Sequence, residues 1–582
     1  MNNKFKFASL FKYLKKDLHL LILSLFSALI YAVSITAIPF LVGLSVNYMV
    51  EGNTDFKSIS IIVLIMGILT VSSVIFDYIY EFTVGVFSYN AVNRIRKDLY
   101  SKYLSVPISY LDSSSQGDLI QKNILDCEYI TNGLISFVKQ LYLGIVTVIV
   151  TIVFMFILNY ILALAVCLLT PLSFVVTKFV SKTTSKYFKK QSAAMADQNG
   201  FSNEMINNLS IIQSFNFEEE SNNIYTEKNG TLYKYGQKAL FSSSWPNPTT
   251  RVVNNIIYCV VAMIAILLFV FADSVPAAIP AVEIGIIGSF LSYTNQYTKP
   301  FNDISSVLSE FGLMKASYNR VHELLTKEDD IDVGQNEIVK PVEAIDFKNM
   351  NFSYDSSRKL IQDFNLHISK GQRIALVGKT GCGKTTLINV LMRFYDYQSG
   401  EIDIDGIKTL DIKKSSLRNK FAMVLQDSWL FNGTIYDNIR YSKPDATKEE
   451  IIEASKKANA HSFIMRMPNG YDTVVSNKSG LSEGEKQLLT IARCMLKMPE
   501  ILILDEATSS IDTRSERKIY SAFDKFLENR TSIVIAHRLQ TIVNSDLILM
   551  MENGIIVEKG THEELIAKHG KYFELYNSQF EH

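Results

Sequence analysis

The stretch from Gly378 to Thr385 carries residue types that can bind phosphate groups. It reads GKTGCGKT, in which two glycines enclose four residues and are followed by Lys384 and Thr385. The glycines let backbone N–H groups turn towards phosphate oxygens, the lysine neutralises phosphate charge, and the threonine hydroxyl can hold Mg²⁺. The alternative is a glycine-rich turn with a surface lysine. It is disfavoured because an apolar strand-like run, IALV, precedes the loop and a helix-like run, TTLINVLMRF, follows it.

A second candidate group follows the apolar run Ile501–Leu504. Two carboxylates, Asp505 and Glu506, come directly after it. Acids at a strand end are often only solvated. Together with a phosphate loop, however, they can hold a metal ion and lie near the γ-phosphate. Cys382, inside the loop, is interpreted either as a small residue that fits there or as a reactive thiol.

The elements that must position these groups are short β-rich runs that alternate with helical ones. This alternation predicts a mixed α/β domain. The acidic, aperiodic stretch Leu325–Lys340 before it is interpreted as a linker. We therefore expect a first domain at 1–324, a linker at 325–340 and a second domain at 341–582. The predicted strands are Ala344–Phe352, Arg373–Val377, Phe421–Leu425, Ile501–Leu504 and Ser532–Ala536, and Thr386–Phe394 is the clearest predicted helix.

The first half of the chain is dominated by long apolar stretches. A bilayer core of ~30 Å needs ~20 apolar residues in a helix. Buried soluble helices seldom contain charge-free runs of this length, so the stretches predict six membrane-spanning helices. The runs are Leu20–Val50, Ser58–Phe76, Gln140–Thr177 divided in two near Asn159, Val252–Ala272, and Ile284–Thr298 with its apolar neighbours from Val275. The expected fold class is an all-α six-helix transmembrane domain followed by an α/β phosphate-loop nucleotide-binding domain.

Charge and cysteine usage exclude several other classes. Acidic and basic residues balance at 58 each, so no charge excess indicates a nucleic-acid partner. The five cysteines are scattered and predict neither a disulfide framework nor a zinc site. The first apolar stretch is too long for a cleavable signal peptide. Lysine and arginine concentrate at the N-terminus and after the second and fourth spans, which predicts that both termini are cytoplasmic.

Lysines alternate with apolar residues before the first predicted span. Phe5, Leu10, Phe11 and Leu14 are the apolar members of this pattern. It indicates either an amphipathic helix on the inner leaflet or simply the start of the first span.

These motifs and their order resemble the ATP-binding cassette (ABC) superfamily over almost the whole chain. The apolar half is similar to the six-helix domain of ABC exporters. Within it, the segment from Pro107 to Leu119 resembles the first intracellular loop, Ile211–Glu219 resembles the second coupling segment, and the stretch from Ser289 to Phe301 resembles the sixth helix. The resemblance implies ATP and Mg²⁺ as cofactors and a head-to-tail pair of ATPase domains with nucleotide between them.

The resemblance also implies a role for each candidate residue. Tyr354 would stack on adenine, although a strand aromatic in the core is the local alternative. Gln426, Glu506 and His537 would be catalytic, with Glu506 polarising the attacking water and His537 contacting the γ-phosphate. The implied nucleotide-binding set is Tyr354, Gly378, Lys379, Thr380, Gly381, Cys382, Gly383, Lys384, Thr385, Thr386, Ser482 and Gly484, and the implied metal set is Thr385, Gln426 and Asp505.

The signature motif departs from the family pattern. The consensus is LSGGQ, whereas this chain reads LSEGE, with Ser482 and Gly484 retained and Glu483 and Glu485 introduced. A carboxylate that faces a nucleotide phosphate at ~4 Å is repelled by ~1 to ~4 kcal/mol. An intact Glu506 with an altered signature resembles one subunit of heterodimeric exporters, so we favour a heterodimer. The alternative is a homodimer in which both new glutamates point to solvent.

The function that the sequence favours is ATP-driven export of hydrophobic or amphipathic compounds of multidrug or lipid type. Asp77 and Glu81 lie four residues apart on one helix face and either line a cavity or pair with lysines. An importer built on the exporter fold and a peptide exporter are the alternatives. An ATP-gated channel is disfavoured because Glu506 and His537 indicate turnover. The expected location is the cell membrane, and the Lys/Asn/Ile-rich composition is typical of a bacterium.

Overall fold

The computed structural model describes residues 7–50, 56–271, 282–355, 359–425, 428–476, 480–505, 513–528, 530–535 and 542–578. The chain forms two compact units. The helical unit comprises Met1–Ser105 and Ser114–Lys327, and the α/β unit comprises Val106–Ser113 and Glu328–His582. The short segment Val106–Ser113 therefore packs with the α/β unit, although the residues on both sides of it in sequence belong to the helical unit.

Long helices make up most of the chain up to residue 327. In chain order the helices are α1 (Phe7–Leu14), α2 (Leu18–Val50), α3 (Phe56–Ser105), α4 (Ile108–Ser113), α5 (Gln116–Gln121), α6 (Cys127–Ser136), α7 (Leu143–Leu158), α8 (Tyr160–Asn207), α9 (Leu209–Ser214), α10 (Glu218–Ser244), α11 (Pro246–Val270) and α12 (Ile284–Leu325). Asn159 separates α7 from α8 because its side chain accepts hydrogen bonds from the N–H groups of Ile161 and Leu162 and so caps the new helix.

Apolar length identifies the membrane-crossing helices. Among the described residues, four helical stretches are long and apolar enough to span a bilayer: Ala8–Met49, Phe56–Ser105, Gln116–Leu158 and Arg251–Val270. The predicted fourth span corresponds to the shorter apolar stretch Tyr160–Pro171 at the start of α8. The predicted sixth span lies in α12, which Ser289 ties to α2 through a 2.7 Å hydrogen bond to the Pro39 carbonyl.

One acidic residue predicted to face a cavity or a lysine forms an ion pair in the helical unit. The Glu81 carboxylate lies 2.5 Å from Lys139 Nζ, so pairing with a lysine, one of the two predicted alternatives, applies to Glu81. At the N-terminus, the 3₁₀ turn Lys15–Asp17 joins α1 directly to α2, and Ala8–Met49 forms one helical stretch. Leu10 and Leu14 are buried within the protein and Phe11 is exposed, so both interpretations of this segment stay predictions.

Among its described residues, the α/β unit contains three sheets and the helices that cover them. Its strands are β1 (Ala344–Phe352), β2 (Ile361–Ser369), β3 (Arg373–Val377), β4 (Ser399–Ile404), β5 (Ile407–Lys408), β6 (Phe421–Val424), β7 (Gly433–Thr434), β8 (Val474–Val475), β9 (Ile501–Asp505), β10 (Thr531–Ile535), β11 (Leu547–Glu552) and β12 (Ile555–Gly560). Its helices after α12 are α13 (Lys384–Leu391), α14 (Lys414–Asn419), α15 (Ile435–Arg440), α16 (Lys448–Lys457), α17 (His461–Ile464), α18 (Glu483–Lys497), α19 (Thr513–Leu527), α20 (His562–Ala567) and α21 (Lys571–Ser578).

The central sheet has six strands in the order β12-β11-β3-β10-β9-β6. Strands β11, β3, β10, β9 and β6 run parallel, and both faces of this sheet are buried. In β3, for example, Ile374 and Leu376 face one core while Ala375 and Val377 face the other. Burial on both faces explains why these strands read as continuous apolar runs in the sequence. An antiparallel sheet, β2-β1-β4-β5, packs beside it in the α/β unit.

The acidic stretch before β1 is attached to the α/β unit. Asp330 lies 2.5 Å from the buried Lys414 ammonium, and Asp332 accepts a 2.6 Å bond from the Lys414 N–H. The N–H groups of Gln335 and Asn336 donate to the Asp411 carbonyl. The predicted domain boundaries stay predictions, but residues 330–336 are docked on this unit.

Candidate nucleotide-binding site

The carboxyl ends of the parallel strands form one edge of the central sheet. The register aligns Leu376 in β3 with Ile535 in β10, and Ile535 in turn with Asp505 in β9. Val424 in β6 pairs with Leu504 in β9. Parallel strands that end in register place the residues that follow them at a common edge, which is where α/β sheets bind ligands. Gln426, Glu506 and His537 follow β6, β9 and β10 in sequence, but they lie outside the described residues.

The phosphate loop begins directly after β3 and ends at α13. Gly383 is the N-cap of α13 with φ 104°, and Gly378 has φ 151°. A Cβ at Gly378 would lie 2.2 Å from the Met551 carbonyl oxygen, so only glycine fits this position. The remaining members of the predicted set, Lys379, Thr380, Gly381 and Cys382, lie in the same loop. Helix α13 therefore points its N-terminal N–H groups at the loop, as phosphate binding requires.

Lys384 folds back across the loop. Its side chain is buried at 5% exposure, and its ammonium donates to the carbonyls of Gly378 at 2.7 Å and Lys379 at 3.2 Å. The Cys382 thiol lies 3.8 Å from the same nitrogen, in the position of a small buried residue. Because two backbone carbonyls of the loop hold the ammonium, its positive charge lies where phosphate oxygens would bind.

The oxygen donors at this edge fit a magnesium ion that bridges to phosphate. Thr385 is exposed in the first turn of α13, Thr386 is buried beside it, and Asp505 ends β9 half-buried. The described residues hold no group of three or more His, Cys, Asp or Glu side chains that could bind a metal by themselves. Mg²⁺ characteristically uses one or two carboxylates together with phosphate oxygens and water. Thr385 and Asp505 would hold it, and it would neutralise charge on the phosphates.

Tyr354 is held in place with one side of its ring open. The ring is 50% exposed and meets Tyr395 edge-to-face at 4.8 Å and Phe352 at 5.0 Å. Its hydroxyl accepts a 3.1 Å hydrogen bond from the Asn389 amide on α13. Tyr354 is thus fixed to the helix that follows the phosphate loop, and its exposed surface is free to stack on a planar base.

The signature residues form the start of α18. Ser482 is the N-cap, and its hydroxyl accepts a bond from the Glu485 N–H at 3.3 Å. The Glu485 carboxylate accepts bonds at 3.0 Å from both the N–H and the hydroxyl of Ser482. Glu483 lies 2.6 Å from Lys486. Gly484 is buried in the first turn. Both introduced glutamates therefore interact with their own helix, and Glu485 lies against Ser482 itself.

Comparison with known proteins agrees with this geometry. Residues 21–301 match the family described as the ABC transporter transmembrane region, and residues 361–509 match the ABC transporter family. An uncharacterized ABC transporter ATP-binding protein of Bacillus subtilis, YfiC, is 35% identical over 98% of this chain and 94% of its own length. The chain belongs to the ABC transporter family. It is an exporter-type half-transporter whose ATPase is coupled to transport, and the predicted fold class is confirmed.

Other relatives are named for transport of specific kinds. A fatty acid ABC transporter ATP-binding/permease protein of Mycobacterium bovis is 34% identical over 83% of this chain and 75% of its own length. A putative multidrug export ATP-binding/permease protein of Staphylococcus aureus is 33% identical over 95% of this chain and 97% of its own length. The structure of a bacterial Atm1-family ABC exporter with ATP bound superimposes with a TM-score of 0.78 at 25% identity, covering 97% of this chain and 98% of that one.

Two residues at the site were not considered from the sequence. Asn389 and Tyr395 contact Tyr354 but carry no local signal, because their importance depends on contacts with a residue more than 30 positions away. Glu485 was considered as a departure from the consensus, but its contact with Ser482 was not predicted, although the sequence carried a signal for it. The pattern Ser-x-x-Glu before an apolar run is a capping box, and it predicts that the carboxylate turns back to Ser482.

Proposed function

We propose that this half-transporter exports hydrophobic or amphipathic compounds by alternating access as a dimer in the cell membrane, with both termini cytoplasmic and with ATP and Mg²⁺ as cofactors. The observation that carries the substrate class is an apolar cavity in the helical unit. Its volume is about 150 Å³, and it lies between the Gln140–Ile149 segment and the Pro300–Val307 part of α12. Gln140 is its polar side chain.

The cavity is suited to hydrocarbon. At about 150 Å³ it is smaller than the ~300–1,000 Å³ of sites that enclose a drug-sized ligand. It therefore fits one ring or a segment of an acyl chain rather than a whole molecule. Gln140 lies in a π-helical turn, Phe137–Tyr142, which widens the helix at this point. The names of the fatty acid and multidrug relatives support the same class.

A dimer is supported by α9 and the turn that joins it to α10. Leu209 and Ile211 in α9 and Phe215 and Phe217 in the turn are exposed by 44% to 79%. Large apolar side chains clustered on a surface mark an interaction site. This is the segment that resembles the second coupling segment, and we propose that it docks on the partner half-transporter.

We favour a heterodimer because of the position of Glu485. If the Ser482 end of α18 faces the partner's nucleotide, the Ser482 hydroxyl is the group that would bind the γ-phosphate. The Glu485 carboxylate is held within hydrogen-bonding distance of this hydroxyl. The homodimer alternative requires Glu485 to point to solvent, and it does not. Glu483 matters less, because Lys486 neutralises it. One ATP site of the dimer would therefore be weak.

Replacing Glu485 by Gln is expected to tighten ATP binding at that weak site by about tenfold, because repulsion of ~1 to ~4 kcal/mol is removed. Glutamine can still complete the capping box, so α18 remains capped. Equilibrium binding of a fluorescent ATP analogue to the purified dimer would show it. Glu450→Gln removes the charge from the matching capping box of α16, formed with Thr447, and should leave ATP affinity unchanged. Unchanged affinity in Glu485→Gln would remove the argument for unequal sites.

The substrate class is tested by filling the cavity. Gly144 lines it, and a Cβ there would lie 3.2 Å from Pro300. Gly144→Leu is expected to weaken binding of a fluorescent fatty acid, because the new side chain displaces about two buried methylene groups of the ligand at ~0.8 kcal/mol each. The fatty acid concentration that gives half-maximal stimulation of ATP hydrolysis should therefore rise about tenfold. Gly67→Leu adds the same side chain on an exposed face of α3 and serves as control.

The same preparation tests direction. The chain and its co-purified partner in inside-out vesicles should accumulate the fatty acid or a hydrophobic dye when ATP is added, and Glu506→Gln should abolish this accumulation. ATP-driven movement in the opposite direction would favour the importer. Full cooperative ATP hydrolysis by the chain alone would favour the homodimer.

A further inference from the structure

The first intracellular helix, α4, is bonded to the group that surrounds Tyr354. The Tyr395 hydroxyl donates a 2.5 Å hydrogen bond to the Asp112 carboxylate at the end of α4. Asp112 and Tyr395 are 283 positions apart in sequence, yet both belong to the α/β unit. This bond links α4 directly to the aromatic side chains that hold the proposed base-stacking residue.

Tyr395 contacts both aromatic neighbours. Its ring meets Tyr354 at 4.8 Å with planes at 85°, and Phe352 at 5.9 Å with planes at 66°. Phe352 meets Tyr354 at 5.0 Å. Three rings in mutual edge-to-face contact restrict one another, because each contact is favourable only in a narrow range of orientations. A shift of Tyr395 therefore changes the orientation of Tyr354.

The bond between Tyr395 and Asp112 suits a contact that forms and breaks. Burial and the neighbouring Asp112 carboxylate raise the pKa of Tyr395 above its usual value, so its hydroxyl remains a donor. Asp112 is exposed, so water can replace the tyrosine without leaving a buried charge unpaired.

We infer that Tyr395 is a positioning residue through which α4 controls how tightly Tyr354 holds the adenine base. When Asp112 is hydrogen-bonded to Tyr395, Tyr354 keeps its contact with Asn389 and its exposed surface can stack on the base. When α4 moves and this bond breaks, the orientation of Tyr354 is less restricted and the base binds less tightly. Since coupling between two sites is reciprocal, a bound base also strengthens the attachment of α4. The inference rests on the proposed assignment of Tyr354 to the base site.

Kinetics of the complete transporter in lipid nanodiscs test the pair. Tyr395→Phe and Asp112→Ala are each expected to raise the KM for ATP about fivefold with kcat changed less than twofold, because binding rather than chemistry is affected. The double variant should be no worse than the more affected single variant. The KM for CTP, with its smaller base, should rise less. Tyr397→Phe is the matched control. It removes a hydroxyl from the same loop, but this hydroxyl is hydrogen-bonded to the Ile402 backbone rather than to α4.

Hydrogen exchange measures the reverse direction. A non-hydrolysable ATP analogue should slow exchange in residues 106–113 of the intact transporter, and it should no longer do so in Tyr395→Phe. A merely structural role of Tyr395 would instead lower kcat and the melting temperature at constant KM and leave the ATP-dependent protection in place. That result, or effects of the two single variants that multiply to about 25-fold in the double variant, would overturn the inference.

A separate variant distinguishes this inference from the assignment beneath it. Tyr354→Ala should raise the KM for ATP. If it does so while Tyr395→Phe does not, the base site stands and the link to α4 is wrong. If Tyr354→Ala leaves KM unchanged, the base site itself is wrong and the inference falls with it.

Discussion

Replacing Lys384 by Ala is expected to reduce ATP hydrolysis by at least about 100-fold, the size of loss seen when one preorganised charge-stabilising donor is removed from an active site. Lys384 is the buried cation of the phosphate loop, held by the carbonyls of Gly378 and Lys379. Alanine leaves the backbone cradle in place but removes the positive charge that would balance the β- and γ-phosphates. Phosphate release by the purified transporter at saturating ATP would measure the loss.

The control for Lys384 is a lysine of the same unit with an exposed side chain. Lys370 precedes β3 and pairs with Glu343 at the surface. Lys370→Ala should change turnover less than twofold, because water screens an exposed ion pair and the pair is remote from the phosphate loop. Equal melting temperatures of wild type and Lys384→Ala would show that the loss is chemical. Hydrolysis within tenfold of wild type in folded Lys384→Ala would contradict the placement of the phosphate site.

Local patterns predicted several strands of the α/β unit well. The predicted strands Ala344–Phe352 and Arg373–Val377 coincide with β1 and β3, and Phe421–Leu425 and Ile501–Leu504 each differ from β6 and β9 by one residue. The runs of β3, β6 and β9 are mostly apolar because the central sheet is buried on both faces. Strands β2, β4, β5, β7, β8, β11 and β12 were not predicted. The exposed positions of β2 and β12 alternate with half-buried or buried ones, which makes the apolar signal weak.

The spans were predicted from the energetic cost of burying charge in a bilayer, and this cost depends only on composition along the chain. What composition does not contain is the extent of each helix. Helix α3 continues for 50 residues, far beyond the apolar run Ser58–Phe76, because its polar continuation packs against α1 and α6. Those contacts depend on tertiary structure.

Hydrogen-bonded pairs of residues that are distant in the sequence could not be predicted either, because they too depend on tertiary structure. Asp112 and Tyr395, and likewise Asp126 and Arg320, are ordinary surface residue types in the sequence. Only the fold shows that Asp126 is completely buried. Glu485 is different, because the capping box that determines its orientation lies within four residues and was available to sequence reasoning.

Arg320→Ala is expected to destabilise the helical unit by ~3–5 kcal/mol, because it leaves a fully buried carboxylate without its partner. Asp126 has 0% side-chain exposure and is the last residue of the π-helical turn Lys122–Asp126. The Arg320 guanidinium on α12 donates hydrogen bonds to both carboxylate oxygens of Asp126, and its Nε lies 2.9 Å from Oδ2. The hydrogen bond to Asp126 raises the pKa of Arg320, so the arginine stays charged. The melting temperature of the detergent-solubilised transporter, with urea denaturation to obtain the free energy, would measure the loss.

Two variants show whether the loss comes from an uncompensated charge. Adding Asp126→Asn to Arg320→Ala removes the buried charge and should recover at least ~1–2 kcal/mol, since a neutral amide costs less to bury than a carboxylate. Lys228→Ala breaks an exposed pair with Asp197 and should cost less than ~1 kcal/mol. If Arg320→Ala were no more destabilising than Lys228→Ala, water would have to reach Asp126 in solution. The contact between α6 and α12 would then be looser than the buried pair implies.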